Sequence, residues 1–202
     1  MSLTGIISVV LTASNLGRKF GSRWVFRHVA FEVGLGDVLV VLGRNGSGKS
    51  TLLRLLSGLL SPSEGSVGRP RGAHHRVLGY VGLDLALYPN LTAREHLEIA
   101  SELRGVPPRA ETLLERVGLS AAADRLTGEY STGMRARLKL ALAIQPEPAI
   151  LLLDEPTASL DDAGREIVRS VIDEQTGRGC VIIATNDAHD RRYATHELTI
   201  DG

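Results

Sequence analysis

Residues 43–51 read GRNGSGKST, and no other stretch restricts the fold of this chain so tightly. Gly43, Gly48, Lys49 and Ser50 fill the pattern G-x-x-x-x-G-K-[ST]. The apolar run VLVVL precedes the motif, and the helical pattern TLLRLLSGLL follows it. Strand, glycine loop and helix form the context in which such a loop cradles phosphate. Glycine lets successive backbone N–H groups curl around an anion without Cβ clashes. A helix opening near Lys49 adds its positive dipole end. Lys49 would reach the β- and γ-phosphates of a nucleotide as a point charge, and the Ser50 hydroxyl would ligate Mg²⁺. Asn45, Gly46, Ser47 and Thr51 belong to the same nucleotide-binding loop. The bland alternative is a glycine-rich βα turn with no ligand. All four motif residues with the right flanks argue against it.

The chain has 202 residues, a length that suits one domain. Lysine plus arginine total 23 and aspartate plus glutamate total 23, so no net basic charge argues for nucleic acid. Cys180 is the single cysteine, which excludes an internal disulfide framework and a multi-cysteine metal site. Its setting in CVIIAT reads as buried packing. No apolar run approaches transmembrane length, and the N-terminus lacks a secretory leader pattern.

Residues 5–40 hold alternating or apolar segments with polar turns, the pattern of a mostly antiparallel lobe. VLVVL reads as a buried central strand and residues 51–60 as the following helix. The turn-rich stretch SPSEGSVGRPRGAHH returns to the antiparallel lobe, and RVLGYVG reads as another strand. From Thr92 to about Ala143 the pattern is helical. Thr92 with Glu95 forms a capping-box signature, Pro107-Pro108 interrupts, and ETLLERVGL is a short amphipathic helix. Ser131 caps GMRARLKLALAI. AILLLD and CVIIAT are buried strands on either side of the helix DAGREIVRSVIDEQ, an order that suggests a parallel crossover. LTIDG is a last short strand.

Asp154 and Glu155 emerge from the C-terminal end of the strand in ILLLDEPTASLD, where open α/β sheets bind their ligands. Asp154 would hold Mg²⁺, mainly through water. Glu155 would orient and polarise an attacking water. Two solvated carboxylates opening a loop are the alternative. The complete phosphate loop upstream favours function.

A Walker A loop, an S-x-G signature, Walker B with a following glutamate and an S-L-D loop occur in this order. The chain resembles the ATP-binding cassette (ABC) ATPases over nearly its whole length. The resemblance implies an α/β fold: a P-loop NTPase core of ABC type with a mostly parallel sheet, an N-terminal antiparallel β lobe and an inserted helical subdomain. It implies one ATPase domain over residues 1–202, with about 92–143 as that subdomain. Two such domains face head to tail in the family, each ATP lying between one subunit's phosphate loop and the other's signature. YSTGM at 130–134 matches the signature through Ser131 and Gly133, while Thr132 and Met134 depart from its commonest form. Ser131 offers a hydroxyl, Gly133 permits close approach, and the following helix aims its N-terminus at the partner's γ-phosphate. Ser159–Leu160–Asp161 matches the loop that crosses the dimer seam, and Asp161 equally suits a helix cap. Phe20 stands where an aromatic stacks on adenine, with Trp24 its neighbour and competitor.

Two family positions break the pattern. Where a glutamine contacts Mg²⁺ and the attacking water, LGYVGLDLALYPNLTAREHL has none, and Leu83 or Asp84 takes its place. Where a histidine contacts the γ-phosphate, Asn186 stands in VIIATNDAHD. Asparagine can donate a hydrogen bond but cannot carry positive charge. His189 reads as a surface residue of the next turn. Such losses slow phosphoryl transfer, because catalysis of this kind is placement and electrostatics.

The resemblance implies the ATP-binding and ATP-hydrolysing subunit of an ABC transporter, using ATP and Mg²⁺. Its partners would be transmembrane permease subunits and a second ATPase subunit. Its place would be cytoplasmic, peripheral on the inner face of the cell membrane. The short length, the signature and LYPNLTA look most like export-type cassettes, with the haem-exporter (CcmA-like) subfamily the nearest in pattern. Residues 83–88 would meet the membrane partner, or pack in the core. The competing classes are a low-turnover regulatory cassette and a soluble, non-transport ABC ATPase. The soluble class usually carries two cassettes or a coiled-coil insertion, and neither is present. A GTPase would carry N-K-x-D, which does not occur.

Overall fold

A computed structural model describes residues 9–70, 77–82, 85–187 and 189–200. Leu83 and Asp84, the two candidates for the glutamine position, lie outside the described residues. Among the described residues, eight strands sort into two sheets. Strands β1 (Val9–Phe20), β2 (Arg23–Gly34) and β4 (Glu64–Gly68) form an antiparallel sheet in the order β2-β1-β4. Strands β3 (Val38–Leu42), β5 (Leu78–Val81), β6 (Ile150–Asp154), β7 (Cys180–Ala184) and β8 (His196–Thr199) form a parallel sheet in the order β5-β6-β7-β3-β8. The expected antiparallel lobe and mostly parallel core are therefore separate sheets.

The apolar runs of β3, β6 and β7 are buried on both faces, as parallel strands covered by helices must be. The two-residue side-chain period divides them between two cores. Val38, Val40, Leu151, Leu153, Val181 and Ile183 enter the larger one. Leu39, Val41, Ile150, Leu152, Cys180 and Ile182 enter the other, which the antiparallel sheet covers. Cys180 is fully buried there, and desolvation pushes its thiol up to about 12, so it packs as a small apolar group.

The described residues include five α-helices: α1 (Lys49–Ser57), α2 (Ala93–Arg104), α3 (Ala110–Arg116), α4 (Thr132–Ile144) and α5 (Asp162–Thr176). Leucines 52, 53, 55 and 56 of α1 fill the core under the antiparallel sheet. Helix α1 stops at Ser57 rather than residue 60, because Gly58 adopts the left-handed conformation and donates to Leu55 O. The Thr92–Glu95 capping box is formed at the start of α2, as its spacing predicts. Leu97, Leu113, Leu114, Leu138 and Ile144 join α2, α3 and α4 to one another and to the larger core. Partly exposed ion pairs also link α3 and the residue before it to α5 and to the loop after α4. Arg116 pairs with Glu174 at 2.7 Å, Arg109 with Glu147 at 2.5 Å, and Arg178 reaches both carboxylates. The last strand begins at His196, two residues before the run LTIDG. Pairing of Leu39–Leu42 with His196–Thr199 decides its position.

Among the described residues no helix is long and apolar enough to cross a membrane.

Candidate nucleotide site

The phosphate loop leaves β3 at its C-terminal end, between β7 and β8, and returns into α1. Two glycines make that path possible. Gly43 has φ 155°, and a Cβ there would run into Ile200 O and Ser47 Oγ. Gly48 has φ 106° and caps α1, and a Cβ there would run into Val25 and Phe26 of β2. Other residues at either position would be strained and would clash. Ser47 Oγ is buried in this loop with no hydrogen-bond partner among the described residues. A buried polar atom left so is costly unless a ligand completes it.

Lys49 opens α1 and is only 6 % exposed. Its Nζ donates to Gly43 O at 2.8 Å, Arg44 O at 3.3 Å and Asn186 Oδ1 at 2.7 Å. All three acceptors are neutral oxygens. Asn186 Nδ2 donates in turn to Asn45 Oδ1. The residue at the histidine position therefore lies across the phosphate loop, 137 residues from Lys49 in sequence.

Asp154 ends β6, buried and beside Ala184 in register. Glu155 follows at φ 49°, an uncommon left-handed conformation for a residue with a Cβ. Its N–H donates to Ala184 O at 2.8 Å. Its Oε2 lies 3.3 Å from both the Asn186 N–H and the Thr185 hydroxyl. Burial raises its pKa above the ordinary value, while the Asn186 N–H, Lys49 and Thr185 pull the other way. Lys49, Glu155, Asn186 and Asn45 thus converge from three strand ends. Ser50 and Thr51 follow Lys49 on the first turn of α1, half-buried.

Phe20 is 52 % exposed at the tip of the β1–β2 hairpin. With Arg23, Trp24 and Val25 it forms one wall of an open groove of about 640 Å³, and residues 44–47 form the other. Trp24 carries Arg27 at 4.3 Å and Lys19 at 5.5 Å from its ring, and Arg18 lies 4.5 Å from the Phe20 ring. Each ring stacks on cations in a cation–π contact.

Ser131 caps α4 and accepts from the Met134 N–H at 3.2 Å. Gly133 sits so close to Ser159 O that a Cβ would lie 3.2 Å from it. Asp161 caps α5 by accepting from the Gly164 N–H at 2.8 Å. The signature and the S-L-D segment thus adjoin each other. No hydrogen bond among the described residues joins Ser131 or Gly133 to the phosphate loop. Of the segment before α2, Leu85 and Tyr88 are exposed and Leu87 packs against the core. His189 is exposed. Its neighbour Asp190 is buried against Thr157 and Thr185, a grouping that the sequence reading missed.

A sheet-borne glycine loop, a buried lysine and a carboxylate pair at the end of β6, one strand removed from β3, define a nucleoside-triphosphate-binding P-loop protein. The family model described as ABC transporter matches residues 26–158. The chain is 40 % identical over 199 residues to the cytochrome c biogenesis ATP-binding export protein CcmA of Nitrosococcus oceani, across 95 % of this chain and 91 % of that one. It is 34 % identical to an uncharacterized ABC transporter ATP-binding protein, YxlF of Bacillus subtilis, across 95 % and 67 %. A solved ATP-binding subunit of an ABC transporter superposes with TM-score 0.86 at 25 % identity, covering 95 % of this chain and 85 % of the other. The chain belongs to the ABC transporter family, as an ATP-binding, ATP-hydrolysing cassette that serves membrane permease subunits.

Proposed function

We propose that this cassette hydrolyses Mg²⁺-bound ATP at the Lys49–Glu155–Asn186 cluster to power export in cytochrome c biogenesis. The observation that carries the catalytic reading is Lys49: a buried ammonium at a helix N-terminus, hydrogen-bonded to neutral oxygens. Phosphate oxygens are better acceptors for it than carbonyls. ATP would exchange the Asn186 contact for the β- and γ-phosphates, and the loop N–H groups with Ser47 would complete the cradle. Ser50 and Asp154 are hard oxygen donors of the kind Mg²⁺ takes, one carboxylate sufficing because the ion keeps several waters. Mg²⁺ supplies neutralisation of charge on the phosphates.

Glu155 accepts a proton from water as the water oxygen bonds to the γ-phosphorus. The bond to the β–γ bridging oxygen breaks, and ADP takes its electron pair. Asn186 can donate through Nδ2 to the transferring phosphoryl group. Phe20 would stack on adenine over the groove facing the loop. Ser131, which keeps its own proton while it caps α4, Gly133 and the α4 N-terminus would close on a second cassette's γ-phosphate. Asp161 would hold the seam loop by its cap. The whole of 1–202 acts as one domain, with about 92–143 as its helical subdomain. The place of work is the cytoplasmic face of the membrane, against permeases that Leu85 and Tyr88 help to meet.

Purified protein should turn over ATP with Mg²⁺ and lose turnover in EDTA. The base works ionised, so turnover falls as pH drops through its pKa. Because burial raises that pKa in the nucleotide-free protein, the acid limb of kcat/KM should lie above the ordinary glutamate range. Tight ATP binding with no turnover, even beside its permeases, would favour a regulatory cassette instead. Export in cytochrome c biogenesis is supported by the relative 40 % identical over nearly both full lengths. Deleting the gene should deplete c-type cytochromes in the source cell; normal levels would reject that assignment.

A further inference from the structure

One buried charge has no part in the chemistry proposed above. Asp190 begins the short turn Asp190–Tyr193 and is 1 % exposed. A carboxylate there has lost its water and needs donors. It receives two hydroxyls, both themselves buried. Thr157 Oγ1 lies 3.1 and 3.2 Å from its two oxygens, and Thr185 Oγ1 lies 2.8 Å from Oδ2. The threonines come from different loops. Thr157 lies two residues after Glu155 in the loop leaving β6. Thr185 ends the run of β7 and immediately precedes Asn186.

Thr185 is also where this cluster touches the nucleotide site. Its hydroxyl accepts from the Asp187 N–H at 2.9 Å and lies 3.3 Å from Glu155 Oε2. That hydroxyl has one proton and two carboxylates in reach, with Asp190 the nearer by half an ångström or so.

We propose that Asp190 is a positioning residue for ATP hydrolysis. Through Thr157 and Thr185 it ties the loop carrying Glu155 to the loop carrying Asn186, and so sets the Glu155 carboxylate beside the phosphate loop. By drawing the Thr185 proton it leaves a lone pair on Glu155 for the attacking water. Burial raises the Asp190 pKa while both threonines lower it, consistent with hydroxyls recruited to hold its charge. The inference rests on Glu155 as the base.

The test separates kcat from nucleotide affinity in Asp190→Ala, Asp190→Asn and Thr157→Val proteins, with ATP affinity read by calorimetric titration. Asp190→Ala should lower kcat on the order of 10- to 100-fold, the scale of a misplaced reacting group. ATP affinity should stay within about twofold, because no phosphate contact is removed. Asp190→Asn should recover part of kcat, since its amide oxygen still accepts from one threonine. Thr157→Val should show a smaller loss of the same kind, and it decides the matter if Asp190→Ala does not fold. In a Glu155→Gln background, Asp190→Ala should add nothing under single turnover, because it acts through Glu155. Unchanged kcat in Asp190→Ala and Thr157→Val overturns the proposal. So does a parallel loss of kcat and affinity, or a full further loss in the Glu155→Gln background. Normal hydrolysis by Glu155→Gln alone would remove the base reading itself, and this inference with it.

Discussion

Glu155→Gln should lower ATP turnover on the order of 10²- to 10³-fold, about 2.7–4 kcal/mol of barrier, the range expected for loss of a positioned base. ATP binding should be retained. Glutamine matches glutamate in shape, and its amide oxygen can still accept from the Asn186 N–H. The residue also sits in the left-handed region with its N–H held by Ala184 O, so a same-size side chain leaves the backbone undisturbed. The remaining catalysis would come from the phosphate loop and Lys49. Turnover and bound ATP measured on the same preparation check this. A variant that binds ATP and hydrolyses it at the parent rate would sink the assignment.

The second large effect concerns binding. Lys49→Met should weaken ATP on the order of 10²-fold, from loss of charge-assisted hydrogen bonds worth about 2–3 kcal/mol. The fold should persist. The ammonium is buried among neutral oxygens, and a methionine stem can occupy the same channel without leaving a buried anion unpaired. Thermal unfolding distinguishes the two outcomes. With ATP at a hundred times the parent Kd, the parent gains about 2.7 kcal/mol of stability and the variant about 0.4. An equal ATP-induced rise in Tm for both proteins would show that Lys49 does not hold the phosphates.

Much of this site could be read from the chain because its signals are local. The glycines of the phosphate loop, the Thr92–Glu95 box and the Ser131 cap each depend on residues within a few positions. The buried strands announce themselves by unbroken apolar runs. Long-range polar pairing leaves no such trace. The Lys49–Asn186–Asn45 chain joins residues about 140 positions apart, and it follows from β3 and β7 being neighbours in the sheet. Asp190 was invisible for a related reason. NDAHD reads as a polar surface turn, and only the convergence of the β6 and β7 loops makes one of its aspartates a buried centre. The start of β8 is not legible in its own apolar content, because register with β3 sets it.

The ion pairs that link α3 to α5 and to the loop after α4 carry a different consequence from the leucine layer beside them. Arg116, Glu174, Arg178, Glu147 and Arg109 are partly exposed to water, so each pair contributes at most about 1 kcal/mol. Arg178 already shares itself between two carboxylates. A guanidinium that can trade one acceptor for another across a wet seam resists sliding far less than interlocked aliphatic side chains do. This edge of the helical layer is therefore held by exchangeable contacts, whereas the buried leucines hold the layer by packing.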